Sequence, residues 1–215
     1  MDRYQETFID FMYRVGVLTF GDFTTKSGRK TPYFVNTGLY STGAQLETLG
    51  NYYADTIEAT IGTDGFDVLF GPAYKGIPLV VATSAALARR GHDVAFCFNR
   101  KEAKDHGEGG VLVGHKIKDG ERVLILEDVT TAGTSIRETV PVLRAAADIQ
   151  LAGLVVSVDR CERGTGELSA LAQVGEEFSM PTFPIVNVYQ IMEHLGLPEE
   201  DMARMQAYLD RYGAA

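Results

Sequence analysis

The chain has 215 residues, 45% of them hydrophobic and 23% charged, which suits one soluble α/β domain. Its formal net charge of −9 excludes nucleic acid as a general partner, because a phosphate backbone needs a basic surface, but leaves room for a small anion held by a local basic cluster. No apolar run approaches the roughly 20 residues of a membrane span, the N-terminus MDRYQETFIDFMYRVG lacks the apolar core of a signal peptide, and the well-separated Cys97 and Cys161 read as buried reduced thiols, so a cytoplasmic protein is expected.

In chain order, Phe8, Ile9, Phe11, Met12 and Val15 recur at helical spacing and predict an amphipathic helix over 3–15. Two short strands, 17–24 and 32–36, flank the turn KSGRKT, and a helix over 43–60 ends near Gly62. FDVLFGPAYKGIPLVVATSAALARRG reads as strand, glycine loop, helix and glycine stop. DVAFCFNR, RVLILE and LAGLVVSVD are further strands, most of them separated by a helical segment of crossover length. Apolar strands without alternation are buried on both faces, as in a parallel sheet, so the pattern predicts a doubly wound α/β fold. NRKEAKDHGEGG, residues 99–110, breaks the rhythm: it has three glycines, no large apolar side chain, and a concentration of positive charge at Arg100, Lys101, Lys104 and His106. It cannot order itself by burial and reads as a lid over an anion.

The chemistry is expected beyond the carboxyl ends of the strands, where Gly71–Gly76, Asn99–Lys101 and Glu127–Ser135 would share one rim. RVLILEDVTTAGTSIRE, residues 122–138, runs an apolar strand into two acids, Glu127 and Asp128, and then a Thr/Gly loop opening a helix. Exposed N–H groups at such a helix start suit a phosphate, with Ser135 and Glu138 as an expected capping box. Pro141 should bend that helix or delay its start. Acids beside a phosphate site must accept hydroxyl hydrogen bonds, hold a metal or face positive charge; an N-cap role for Asp128 is the structural alternative. A phosphorylated sugar meets these needs: its phosphate sits in the loop, its hydroxyls reach the acids, and the ring keeps the anions apart. Walker A and dinucleotide fingerprints are missing.

Val123–Ser135 resembles the phosphoribosyl pyrophosphate (PRPP) signature of type I phosphoribosyltransferases. With TKSGRKTPYFVNTG, GPAYKGIPL, NRKEAKDHGEGG and SVDRCERGTGELSA, the chain is similar to the orotate phosphoribosyltransferases from Phe8 to about residue 175, with a compatible helical C-terminus. The resemblance implies a type I phosphoribosyltransferase fold: one domain over 1–215 with a mainly parallel sheet flanked by helices, a small N-terminal hood at about 1–40 and a mobile lid at about 100–110. It implies transfer of ribose 5-phosphate from PRPP to N1 of orotate, with Mg2+ carried mainly by PRPP and water rather than by protein ligands. It also implies a homodimer whose lids reach the neighbouring site.

On the same basis Val129, Thr130, Thr131, Ala132, Gly133, Thr134 and Ser135 would cradle the 5′-phosphate. Glu127 and Asp128 would take the ribose hydroxyls, and Tyr74, Lys75 and Arg100 the pyrophosphate. Lys26 would reach the reacting centre, with Lys101, Lys104 and His106 closing over it. Phe34, Val35, Thr131 and Arg160 would hold orotate, Arg160 by its carboxylate. The sequence departs from the family where Val35 replaces a frequent second Phe and where Thr130 replaces a common aliphatic residue. A phosphoribosyltransferase for a purine is the enzymatic alternative, and Arg160 argues against it because a purine has no carboxylate. A PRPP-binding regulator is the other, and it would need the nucleic-acid surface that an acidic chain lacks.

Overall fold

The computed structural model describes residues 1–25, 28–104, 110–130, 133–164 and 166–214, excluding the side chains of Ala103 and Lys104. The amphipathic N-terminal helix α1 (Arg3–Arg14) buries Phe8, Ile9, Phe11 and Met12 on one face. Strands β1 (Leu18–Thr24) and β2 (Lys30–Val35) pair antiparallel as a separate hairpin, with Leu18 opposite Val35. A short 3-10 turn (Thr37–Leu39) leads to α2 (Gly43–Ala59), which opens with a reciprocal capping box between Thr42 and Gln45.

The remaining elements are β3 (Val68–Gly71), α3 (Gly76–Arg89), β4 (Ala95–Lys104), β5 (Gly110–Gly114), β6 (Arg122–Val129), α4 (Thr134–Ala146), β7 (Gln150–Asp159), α5 (Ala170–Phe178), β8 (Thr182–Asn187), α6 (Val188–Leu195) and α7 (Glu199–Tyr212). Among the described residues they form a six-stranded sheet of order β5-β4-β3-β6-β7-β8. Only β5, at one edge, runs antiparallel to its neighbour. The order reverses between β3 and β6, and the crevice at the carboxyl ends of those two strands is where ligands of such sheets bind.

Apolar runs are buried on both faces because helices cover both. Leu124 and Leu126 join the core beneath α1, α2, α3 and α7, whereas Val123 and Ile125 join the one that includes Ile136 and Val140 of α4. Successive side chains on a strand point to opposite faces. The two acids that follow on β6 therefore diverge.

Several expectations are corrected. Residues 100–104 are not loop but the continuation of β4, with Lys104 paired to Gly110; residues 105–109 lie outside the described residues. Strand β8, not expected from the sequence, contains Pro184, tolerated because β8 is the sheet edge. Pro141 does not delay the start of α4, which begins at Thr134 and runs through it. The Ser135–Glu138 capping box is absent: Gly133 (φ 71°) is the N-cap and no side chain caps the turn. Both cysteines are free, but Cys161 is only half-buried. No described helix is long and apolar enough to cross a membrane.

Candidate active site

The end of β6 is held by hydroxyls from three other elements. Tyr53 donates to the Glu127 carbonyl (2.6 Å), Ser157 to the Asp128 carbonyl (2.5 Å) and Thr37 to the Asp128 carboxylate (2.5 Å). Asp128 also pairs with Lys75 at 2.8 Å, on the α2–α3 side of the sheet. It caps no helix, so the N-cap alternative is set aside. Burial raises the Asp128 pKa, but the hydrogen bonds from Lys75 and Thr37 outweigh it and leave the carboxyl below its ordinary value. Asp128 therefore stays ionised at neutral pH.

Glu127 faces the α4 side. Its carboxylate accepts from the Ser135 hydroxyl at 2.6 Å and from the Asp128 amide at 3.0 Å, and it is almost fully buried. Burial pushes its pKa up to about 7; the Asp128 charge adds to the rise and the Ser135 hydrogen bond opposes it. Ser135 thus serves a tertiary contact instead of a cap. A hollow of about 100 Å³ lies here, lined by Glu127, Val129, Thr130, Gly133, Thr134 and Ser135. The Thr130 hydroxyl is buried in its wall with no hydrogen-bond partner among the described residues. First-turn amides of an uncapped helix, together with small and hydroxyl side chains, make this hollow suited to an anion. Thr131 and Ala132, also expected here, lie outside the described residues.

Across the crevice, β3 meets α3 so closely that a Cβ on Gly71 would lie 2.1 Å from the Gly76 carbonyl oxygen. The glycines let the intervening turn fold over the strand end, where the Ala73 amide donates to Asn99 at 2.8 Å. This turn exposes Tyr74 (71%) and carries Lys75 to Asp128. Lys75, Asp128 and Thr37 border a larger cavity of about 360 Å³ reaching back to Tyr40 and Tyr53. Arg100 donates to the Gly110 carbonyl (3.4 Å), and Lys101 lies 3.4 Å from Glu138. Lys26, His106 and the Lys104 side chain lie outside the described residues.

On the hairpin, Phe34 is partly exposed and stacks on Phe23 with ring centroids 5.6 Å apart, while Val35 is half-buried beside it. Arg160, past the end of β7, is not a free surface cation. It is buried, stacked over Tyr33 at 4.4 Å and bound to Glu162 at 2.6 Å. Thr37, Tyr53, Ser157 and Glu162 are the site residues that sequence reasoning missed. Thr37, Ser157 and Glu162 lay within recognised motifs without being singled out there; the Tyr53 hydroxyl offered no signal before the fold brought it to β6.

The phosphoribosyl transferase domain model matches residues 42–185. The orotate phosphoribosyltransferase of Clostridium beijerinckii is 53% identical over 100% of both chains. That of Pseudomonas aeruginosa is 49% identical over 99% of this chain and 100% of its own. The crystal structure of the Francisella tularensis orotate phosphoribosyltransferase superposes with a TM-score of 0.86 at 40% identity, covering 97% of this chain and 100% of that one. This chain therefore belongs to the phosphoribosyltransferase family and, within it, to the orotate phosphoribosyltransferases.

Proposed function

We propose a residue-by-residue course for the family's reaction on this chain, carried by one observation: the two acids at the end of β6 diverge, Glu127 toward the anion hollow and Asp128 toward Lys75. The enzyme transfers ribose 5-phosphate from PRPP to N1 of orotate, giving orotidine 5′-monophosphate and pyrophosphate, in pyrimidine synthesis. The 5′-phosphate occupies the hollow between Val129 and Ser135, where the unpartnered Thr130 hydroxyl supplies a donor. Glu127 and Asp128 accept the ribose hydroxyls. Tyr74, Lys75 and Arg100 meet the pyrophosphate. The bond from ribose C1 to the pyrophosphate oxygen breaks, the bond to N1 forms, and the N1 proton passes to the departing pyrophosphate or to water. The ionised Asp128 lies on the side where positive charge develops on the ribose.

Orotate lies against Phe34 and Val35, with Thr131 and Arg160 on its ring and carboxylate. Lys26 reaches the reacting centre from a hood formed by about residues 1–40 of a single domain. Lys101, Lys104 and His106 close over it from the 100–110 segment of a second copy. A homodimer is supported by the apolar Pro78 and Val81, exposed near the start of α3. Two free thiols suit a reducing cytoplasm. With Asp128 already paired to Lys75, Mg2+ would be carried mainly by the phosphates of PRPP and by water, and when bound would neutralise charge on the departing pyrophosphate.

The direct test follows orotate by ultraviolet absorbance with PRPP and Mg2+. Loss of the orotate signal only with all components present supports the reading; turnover of a purine base instead overturns it.

The Glu127 carboxyl gives a pH prediction. Its folded pKa of about 7 lies above its ordinary 4.5, so folding favours the protonated form, and the stability it contributes is full below pH 4.5 and lost as pH rises toward 7. Activity runs the other way, because the ribose hydroxyls need the carboxylate. The kcat/KM for PRPP should fall with falling pH below about 7, and Glu127→Gln should remove that limb while leaving the one near pH 6 that belongs to the substrate phosphate. An unchanged profile in the variant would assign the limb elsewhere.

A further inference from the structure

We propose that Glu162 is a positioning residue for orotate recognition: it grips one edge of the Arg160 guanidinium and, with its own charge offset by Arg29, presents the opposite edge to the substrate carboxylate. The inference rests on the assignment of Arg160 to that carboxylate.

The contacts define both edges. Arg160 Nε and Nη2 both donate to Glu162 Oε1, at 2.9 and 2.6 Å. Nε and Nη2 form the side edge of a guanidinium, so Nη1 and the second Nη2 hydrogen remain on the end edge. Nη1 makes no hydrogen bond among the described residues. That end edge is the one that can take a carboxylate bidentately. The Tyr33 ring, 4.4 Å from the guanidinium carbon, fixes its plane.

The charges point the same way. Arg160 and Glu162 side chains are 8% and 15% exposed, so their charges are poorly screened by water. Arg29 binds the other oxygen, Oε2, at 3.1 Å, and Tyr33 donates to Oε1 at 3.3 Å. Two guanidiniums and one carboxylate leave the cluster with a single positive charge, matched to one ligand carboxylate. Without Arg29, Glu162 would cancel Arg160. Without Glu162, Arg160 would keep its charge and lose its aim.

Glu162 is itself held. Its backbone bridges to Gly213, its carbonyl accepts from the Ala170 amide at 3.1 Å, and Arg29 stacks over Tyr212 at 4.5 Å. Cys161 takes φ 50°, turning the chain between Arg160 and Glu162. The end of α7 therefore braces the segment that aims the arginine.

The test measures KM for orotate and for PRPP, kcat, and the thermal midpoint in Glu162→Ala, Glu162→Gln and Arg29→Gln, with Arg160→Ala as reference. Glu162→Ala is expected to raise the orotate KM about tenfold and leave the PRPP KM within about twofold, the scale expected when a binding group is misplaced. Glu162→Gln keeps an acceptor oxygen for Nε and Nη2, folds, and should recover most of the loss. Arg29→Gln should raise the orotate KM as well. A lower orotate KM in Glu162→Gln would mean the carboxylate only repels substrate and would overturn the proposal, as would parallel rises in both KM values with a falling midpoint. If Arg160→Ala raises the orotate KM and all Glu162 variants are silent, the positioning role falls and the Arg160 assignment stands. An unchanged orotate KM in Arg160→Ala overturns the assignment itself.

Discussion

Asp128→Asn is expected to lower kcat/KM for PRPP by roughly 10²–10³ while moving the thermal midpoint by only a few degrees. The activity term is the removal of a charge that faces a developing cation and accepts ribose hydroxyls; losing one such preorganised group costs about 3–4 kcal/mol. The stability term is small for a different reason. The substitution removes the Lys75 ion pair, but that lysine side chain is 58% exposed, and a pair with such a partner is worth about 0–1 kcal/mol. Asparagine keeps an oxygen for Thr37, and the Ser157 bond goes to the unaltered main chain. Neutralising residue 128 also removes the negative charge that helps hold the Glu127 pKa up, so the acidic limb of the pH profile should move lower in the same variant. The checks are steady-state kinetics and a melting curve on one preparation. In a domain of this size about 1 kcal/mol corresponds to roughly 2–4 °C. A midpoint loss well beyond that, with activity falling in proportion, would make Asp128 a support for β6 rather than a substrate ligand.

The divergence of the two acids follows from strand geometry, not from any pattern in the apolar run VLIL, because successive side chains on a strand take opposite faces. Val123 and Ile125 go to one core and Leu124 and Leu126 to the other, so Glu127 and Asp128 must follow onto opposite faces. The runs that became β3, β4, β6 and β7 were legible because both faces are covered, and unbroken apolar stretches survive only there. Strands β5 and β8 were not. Glycines bound β5, and Pro184 interrupts β8; their pairing depends on lying at the two sheet edges, which no local pattern encodes. The Ser135–Glu138 spacing misled because a capping box is a local rule. Here the buried Glu127 carboxylate competes for the Ser135 hydroxyl and wins, since a buried acceptor without a partner costs more than an exposed helix turn without a cap. Glu162 escaped because an acid in the charged run DRCER reads as a solvated residue. Only the fold stacks the hairpin's Tyr33 and Arg29 against it.

Arg160→Ala is expected to raise the orotate KM by about 10²-fold or more and leave the PRPP KM nearly unchanged. A bidentate grip on a carboxylate makes two hydrogen bonds to charged groups, each worth about 1.5–3 kcal/mol, and the variant loses both. Stability also suffers, because Glu162 keeps only Arg29 and the Tyr33 hydroxyl and Tyr33 loses the cation over its ring. Breaking a buried pair from one side costs about 3–5 kcal/mol, here reduced by the remaining Arg29. A midpoint drop of several degrees is therefore part of the expectation and must be separated from recognition. Arg160→Lys does that. It restores a positive charge beside Glu162 and should recover most of the midpoint. It cannot restore recognition, because an ammonium is a point charge without the fork that lets one edge bind Glu162 while the other binds substrate. A lysine variant with wild-type orotate KM would show that charge alone selects the substrate. A lysine variant that melts near wild type and still binds orotate poorly would locate the discrimination in the geometry of the guanidinium held between Tyr33 and Glu162.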